Sequence, residues 1–217
     1  GELTMRRTVA SLPFGGRYRL VDFVLSNMVN SHIKTVAVLT QYNARSLHEH
    51  LSSSKWWDFG RKQGGLYVFT PVVTAENSNW YRGTADAIYQ NLDFINRYDP
   101  DYVLILSGDH IYKMHYGEML KTHKESGAAI TIAVMPVPWE EAPRFGIMNV
   151  DENGFITEFE EKPLAVKSRN ISCGIYIMRR RQLIEILEQC AEEGVRMGLE
   201  FRVIPLGHDV TSVIHVV

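Results

Sequence analysis

Residues 102–110 read Tyr-Val-Leu-Ile-Leu-Ser-Gly-Asp-His, an apolar run that passes straight into a glycine and an aspartate. An unbroken apolar run without polar alternation is the pattern of a strand covered on both faces, as in the parallel sheets of α/β proteins. In open α/β sheets ligands bind beyond the carboxyl ends of the strands. Asp109, with Gly108 beside it for close backbone approach, suits a Mg²⁺ ligand that also touches a substrate phosphate. The same aspartate reads equally well as the cap of the next segment. His110 and His115 lie near it and read as packed or solvent-exposed histidines rather than as a His-rich metal site.

Working outward, the apolar period alternates between that of strands and that of helices. Strands are predicted at Lys34–Thr40, Gly65–Thr70, Tyr102–Leu106, Ala128–Val137 and Ser172–Met178. Helices are predicted at Asn43–Leu51, Thr84–Tyr98 (stopped by Asp99-Pro100), Met114–Ser126 (closed by Gly127) and Arg180–Glu193. Gly146–Val150 and Phe155–Phe159 flank an Asn153-Gly154 step, a hairpin signal. Leu199–Ile204 and Thr211–Val217 look like further strands. This order predicts an α/β fold with a mostly parallel sheet, helices on both faces and one antiparallel insertion.

Of 217 residues, 45% are hydrophobic and 22% charged, which excludes disorder. A net charge of −2 gives no electrostatic reason to bind nucleic acid or an anionic membrane. The longest apolar runs fall far short of the roughly 18 residues a membrane span needs. The two cysteines, Cys173 and Cys190, read as buried thiols in a reducing, cytoplasmic compartment. The chain opens at Gly1-Glu2-Leu3-Thr4 with neither an initiator Met nor a signal peptide, and reads as a piece of something longer.

Three more stretches can carry chemistry. Pro13-Phe14-Gly15-Gly16-Arg17-Tyr18-Arg19 is not a P-loop, because no Gly-Lys-Ser/Thr follows, and it reads best as a tight turn. In Trp80-Tyr81-Arg82-Gly83-Thr84, Gly83 and Thr84 open a helix whose free N–H groups favour an anion; alternatively Thr84 is only the cap, with Trp80 and Tyr81 packed beside it. Glu158-Phe159-Glu160-Glu161-Lys162-Pro163 ends a strand on a lysine that would neutralise a sugar phosphate, or is a solvated charge run.

Taken in order, these stretches resemble the sugar-nucleotide pyrophosphorylases, and among them the glucose-1-phosphate adenylyltransferases of bacterial glycogen synthesis. The matching segments are PFGGRYRLVDFVLSNMVNS (13–31), LTQYNARSLHEH (39–50), NWYRGTADAIYQNLDFI (79–95), YVLILSGDHIYKM (102–114), PWEEAPRFGIMNVDENG (138–154), EFEEKP (158–163) and SCGIYIM (172–178). The resemblance implies a Rossmann-like, GT-A-type nucleotidyltransferase domain over residues 1–194, with 195–217 as strands completing the sheet. It implies Mg²⁺ as cofactor and the conversion of ATP and glucose 1-phosphate to ADP-glucose and pyrophosphate. By motif, Asp109 would hold Mg²⁺ and Lys162 the sugar phosphate. Glu161 and Ser172 would bind the sugar, Tyr81 would line its side, and Gln41, Gly83 and Thr84 would contact the adenine nucleotide.

Two departures qualify the match. Family catalysts begin with a G-G-x-G-T-R-L loop, and the first residues here align after it. There, catalytic members carry A-K-P-A-V, where this chain has Thr8-Val9-Ala10-Ser11, like the regulatory-type subunit of some Gram-positive bacteria. Such a subunit pairs with a homologous catalytic subunit in a hetero-oligomer; a homo-oligomer is the other expectation. Further on, the metal-binding aspartate and left-handed β-helix of the family are not recognisable in Val195–Val217. The alternatives to a weakly active regulatory subunit are a truncated catalytic enzyme and an assembly scaffold that binds no ligand.

Overall fold

The computed structural model describes residues 2–5, 7–52, 57, 64–72, 80–192 and 212–216. The chain forms two compact units: Gly1–Tyr81 with Ser107–Gly117, and Arg82–Leu106 with Glu118–Val217.

In the first unit, β1 (Pro13–Phe14) and β2 (Tyr18–Arg19) form a small antiparallel hairpin. Gly15 and Gly16 turn it with φ of +59° and +77°, a conformation that only glycine adopts freely. Helix α1 (Leu20–Asn30) follows and has no counterpart among the predicted elements. The Arg19 backbone N–H donates to Asp22 Oδ2 at 2.9 Å, which satisfies an otherwise orphan group at the helix start. Val21, Val24 and Leu25 recur at helical spacing and are buried. The helix closes with His32 in the left-handed region and the Ile33 N–H bonded back to Met28 O at 3.0 Å. Strand β3 (Thr35–Leu39), helix α2 (Arg45–Ser52) and strand β4 (Gly65–Phe69) come next, and β3 pairs with β4 in parallel. The core of this unit is Val21, Leu25, Val36, Leu47, Leu51 and Trp57.

In the second unit the predicted helix at 84–98 is two helices, α3 (Thr84–Tyr89) and α4 (Leu92–Tyr98). The Asn91 side-chain amide donates to Ala87 O at 2.8 Å and so competes with the backbone for that carbonyl. Left-handed Asp99 ends α4 just before Pro100. Then come β5 (Tyr102–Leu106), α5 (Tyr116–Ser126), whose first two residues belong to the first unit, and β6 (Ile130–Pro136). The hairpin of β7 (Gly146–Val150) and β8 (Ile156–Glu161) follows. Asp151 Oδ1 organises its turn by accepting from the Asn153 and Phe155 N–H groups at 2.9 and 2.8 Å. The unit ends with β9 (Asn170–Arg179), α6 (Arg180–Glu192) and β10 (Ser212–Val216). The predicted strand at 199–204 lies outside the described residues.

The α/β class stands, but strand direction differs from the mostly parallel expectation. The sheet runs β10-β6-β9-β7-β8, with β5 also on β9. Among the described residues of this sheet only β6–β10 is a parallel pair; β5–β9, β6–β9, β7–β8 and β7–β9 are antiparallel. Strands β5 and β6 do point the same way, as alternating helices and strands require. The reversed β9 lies between them, and an apolar run does not reveal which strand will be its neighbour. Ile132, Met148, Met178 and Leu183 are among the fully buried side chains. No described helix is long and apolar enough to cross a membrane. Both cysteines are free; Cys190 is buried as expected, whereas Cys173 is only half-buried.

Candidate active site

Each unit holds part of the predicted set. In the first, Asp109 stands just past the end of β5. Its Oδ1 accepts from Ser107 Oγ at 2.5 Å and lies 3.7 Å from His110 Nε2. The carboxylate is 38% exposed, open to a ligand. The segment after it is tied to α1. Asn27, which is buried, donates from Nδ2 to Tyr112 O at 3.0 Å and accepts the Met114 N–H at 3.4 Å, while Ser31 Oγ accepts the Tyr116 N–H at 2.8 Å. The sequence reading does not single out Asn27 and Ser31. Asn27 and the C-cap Ser31 stand at i and i+4, but α1 also carries Asp22, Ser26 and Asn30, so the pair leaves no distinctive signal in the sequence.

Gln41 follows β3, and its Oε1 is buried without a hydrogen-bond partner among the described residues. Such an orphan acceptor is costly unless a ligand or water meets it. Next to it in sequence, Tyr42 stacks on Trp80 with centroids 4.8 Å apart and planes 12° from parallel. Both rings are exposed, so Trp80 is a surface platform rather than packing for the helix start. Tyr81 is half-buried at the edge of the same unit.

In the second unit, Gly83 rather than Thr84 is the N-cap of α3, and Thr84 is its first helical residue. No side chain caps this end. Asp86 Oδ2 instead accepts the Arg82 N–H at 2.8 Å and the Gln90 amide at 2.9 Å.

Glu161 ends β8 and Lys162 follows in the left-handed region, with φ of +46°. A non-glycine residue there costs on the order of 1–3 kcal/mol and persists only when its surroundings hold it. The Lys162 N–H donates to Phe145 O at 3.1 Å. Its ammonium lies 3.2 Å from Glu161 Oε1, and the side chain is 65% exposed, so the charge is available to an anion. Gly146 faces Glu161 across the hairpin. A Cβ on Gly146 would lie 3.0 Å from Glu161 Oε2 and 2.7 Å from the Phe159 ring. The sequence reading overlooks Gly146; its place opposite Glu161 emerges only with the hairpin register.

Ser172 lies at a bulge, where Cys173, Gly174 and Ile175 of β9 together face Ala133 of β6. Gly174 takes a φ of +65° and donates its N–H to Ser172 Oγ at 3.2 Å. The Tyr176 hydroxyl lies 3.2 Å from the same oxygen. Burial raises the Cys173 thiol above its ordinary pKa, which keeps it unreactive.

Among the described residues no three His, Cys, Asp or Glu side chains cluster to hold a metal. Mg²⁺ needs no such cage, since it is commonly held by one or two carboxylates, waters and substrate phosphates. The partly exposed Asp109 fits that mode.

The family model described as Nucleotidyl transferase matches residues 2–202. The chain belongs to the nucleotidyl transferase family. Among nucleotidyl transferase relatives, the glucose-1-phosphate adenylyltransferase of Clostridioides difficile (strain 630) is 55% identical over 183 residues, covering 84% of this chain and 47% of that protein. That of Clostridium perfringens (strain SM101 / Type A) is 53% identical over 189 residues, 87% and 49% of the two chains. That of Halalkalibacterium halodurans is 51% identical over 193 residues, 89% and 50%. The chain spans about half the length of the curated relatives it matches.

Proposed function

We propose that this chain carries the nucleotidyl-transfer part of a glucose-1-phosphate adenylyltransferase, which makes ADP-glucose and pyrophosphate from ATP and glucose 1-phosphate. The observation that carries this reading is Lys162, held in the left-handed region at a strand end with its ammonium exposed beside Glu161. A fixed cation next to an acceptor for hydroxyls suits a sugar phosphate. The names of the relatives support the substrate pair.

In this reaction a phosphate oxygen of glucose 1-phosphate attacks the α-phosphorus of ATP, the P–O bond to pyrophosphate breaks, and no proton need move. Catalysis then lies in positioning and charge neutralisation. Lys162 neutralises the attacking phosphate. Glu161 and Ser172 accept or donate to sugar hydroxyls, and Tyr81 lines the sugar. The buried Gln41 Oε1 takes a donor from the nucleotide, and Gly83 and Thr84 contact it as well. Mg²⁺, when bound through Asp109, would supply positive charge to the phosphates.

We assign the chain to the regulatory-type subunit, working with a homologous catalytic subunit in the cytoplasm. The support is internal: where catalytic relatives of the resemblance carry Lys-Pro, Val9 lies exposed in a single 3-10 turn, Val9–Ser11. No ammonium is available there. A pyrophosphate-release assay with ATP, glucose 1-phosphate and Mg²⁺ tests this. Slow turnover alone, raised by a catalytic partner, is expected. Robust turnover by the chain alone, abolished in Asp109→Ala, would sink the regulatory assignment.

A further inference from the structure

The two oxygens of the Asp109 carboxylate are unlike. Ser107 Oγ donates to Oδ1 at 2.5 Å, the length of a charge-assisted bond between a hydroxyl and a carboxylate. His110 Nε2 lies 3.7 Å from the same oxygen, beyond hydrogen-bond reach, on a side chain that is half exposed. Oδ2 meets no donor among the described residues. One oxygen is therefore held and the other is open.

A serine near a turn ordinarily gives its hydroxyl to a backbone group close by and so steadies the path of the chain. Ser11, Ser26 and Ser126 do this, donating to the carbonyls of Thr8, Asp22 and His123. Ser107 does not. Among the described residues its hydroxyl bonds to the Asp109 side chain alone, so the bond fixes a carboxylate rather than the backbone. The backbone of this segment is anchored farther on, where Asn27 donates to Tyr112 O and Ser31 Oγ accepts the Tyr116 N–H. Without Ser107 the partly exposed carboxylate would turn freely about its last torsion, which has a broad, roughly two-fold preference. A ligand would then have to order it on binding.

We propose that Ser107 is a positioning residue for Mg²⁺: by holding Oδ1 it fixes the carboxylate and presents Oδ2 to the metal. Metal-ligating carboxylates are commonly hydrogen-bonded in this way, and loss of such a partner typically weakens metal binding about 10–100-fold. The support matters more where no three acidic, His or Cys side chains share the ion, as is the case among the described residues. The inference rests on the reading of Asp109 as the residue that holds Mg²⁺, and adds to it the group that orients that ligand.

Calorimetric titration of the 217-residue chain with ADP-glucose, once in Mg²⁺ and once in EDTA, tests it. The ratio of the two affinities is the gain due to the metal. That gain is expected to fall at least roughly tenfold in Ser107→Ala and to return in Ser107→Thr, which keeps the hydroxyl. The affinity in EDTA should be unchanged in both variants, since the chain path does not depend on this bond. A gain that survives in Ser107→Ala but is lost in Asp109→Asn would overturn the role of Ser107 and leave that of Asp109 intact. Equal losses in Mg²⁺ and EDTA for Ser107→Ala would overturn it too, because Ser107 would then act on the fold or the nucleotide. No gain in the parent, or a full gain in Asp109→Asn, would overturn the Asp109 reading and this proposal with it.

Discussion

Gly146 and Glu161 stand opposite each other in the β7–β8 ladder, and the space a Gly146 Cβ would fill is already taken, 3.0 Å from Glu161 Oε2 and 2.7 Å from the Phe159 ring. Contacts of that length are not tolerated, so one side chain must move. Gly146→Ala is expected to destabilise the chain by about 1–3 kcal/mol, lowering its melting temperature by several degrees. Because the carboxylate is displaced, calorimetric affinity for glucose 1-phosphate should fall as well. A variant with unchanged melting temperature and affinity would show that the Glu161 position is not fixed by this contact.

Lys162 separates stability from binding. Glycine adopts its φ of +46° without strain, whereas alanine does not. Lys162→Gly is therefore expected to be more stable than Lys162→Ala by about 1 kcal/mol in denaturant unfolding. Both should lose sugar-phosphate affinity equally, since both lack the ammonium. Equal stability of the two would mean that the left-handed backbone carries no strain.

A buried histidine sets a pH dependence. His123 is almost fully buried, with Nδ1 2.8 Å from Thr131 Oγ1 and Nε2 without a partner among the described residues. Burial, and secondarily Arg179, hold its pKa below the ordinary 6.5. The unfolded chain thus takes up this proton first as pH falls. The contribution is fully present above the unfolded value of 6.5 and is lost as pH drops through the lowered folded value. Thermal unfolding between about pH 7.5 and 5 should show a smaller acid loss in His123→Leu than in the parent. An identical acid slope in both would remove His123 as the cause.

Several of these features were legible in the residues and others were not, for physical reasons. Tyr102–Leu106 was readable because an unbroken apolar run without polar alternation marks a strand, although each of its residues is only half-buried. Helix α1 was missed although Val21, Val24 and Leu25 recur at helical spacing. Its start is marked by Arg19 and Asp22 rather than by a Ser or Thr cap. The reversed β9 was hidden because strand neighbours are chosen by tertiary packing. The motif at 158–163 pointed to Lys162, yet neither its left-handed backbone nor its dependence on Gly146 leaves a local signature. The Tyr42–Trp80 stack likewise joins residues far apart in the chain.

The proposal most open to test is that Lys162 takes the sugar phosphate and that Asp109 holds Mg²⁺. Calorimetric titration of the chain with ADP-glucose in the presence of Mg²⁺ tests it most directly. Saturable binding is predicted, weakened at least roughly tenfold in Asp109→Asn and in Lys162→Gln. The absence of binding heat by the parent chain, or equal affinity in both variants, would contradict the account.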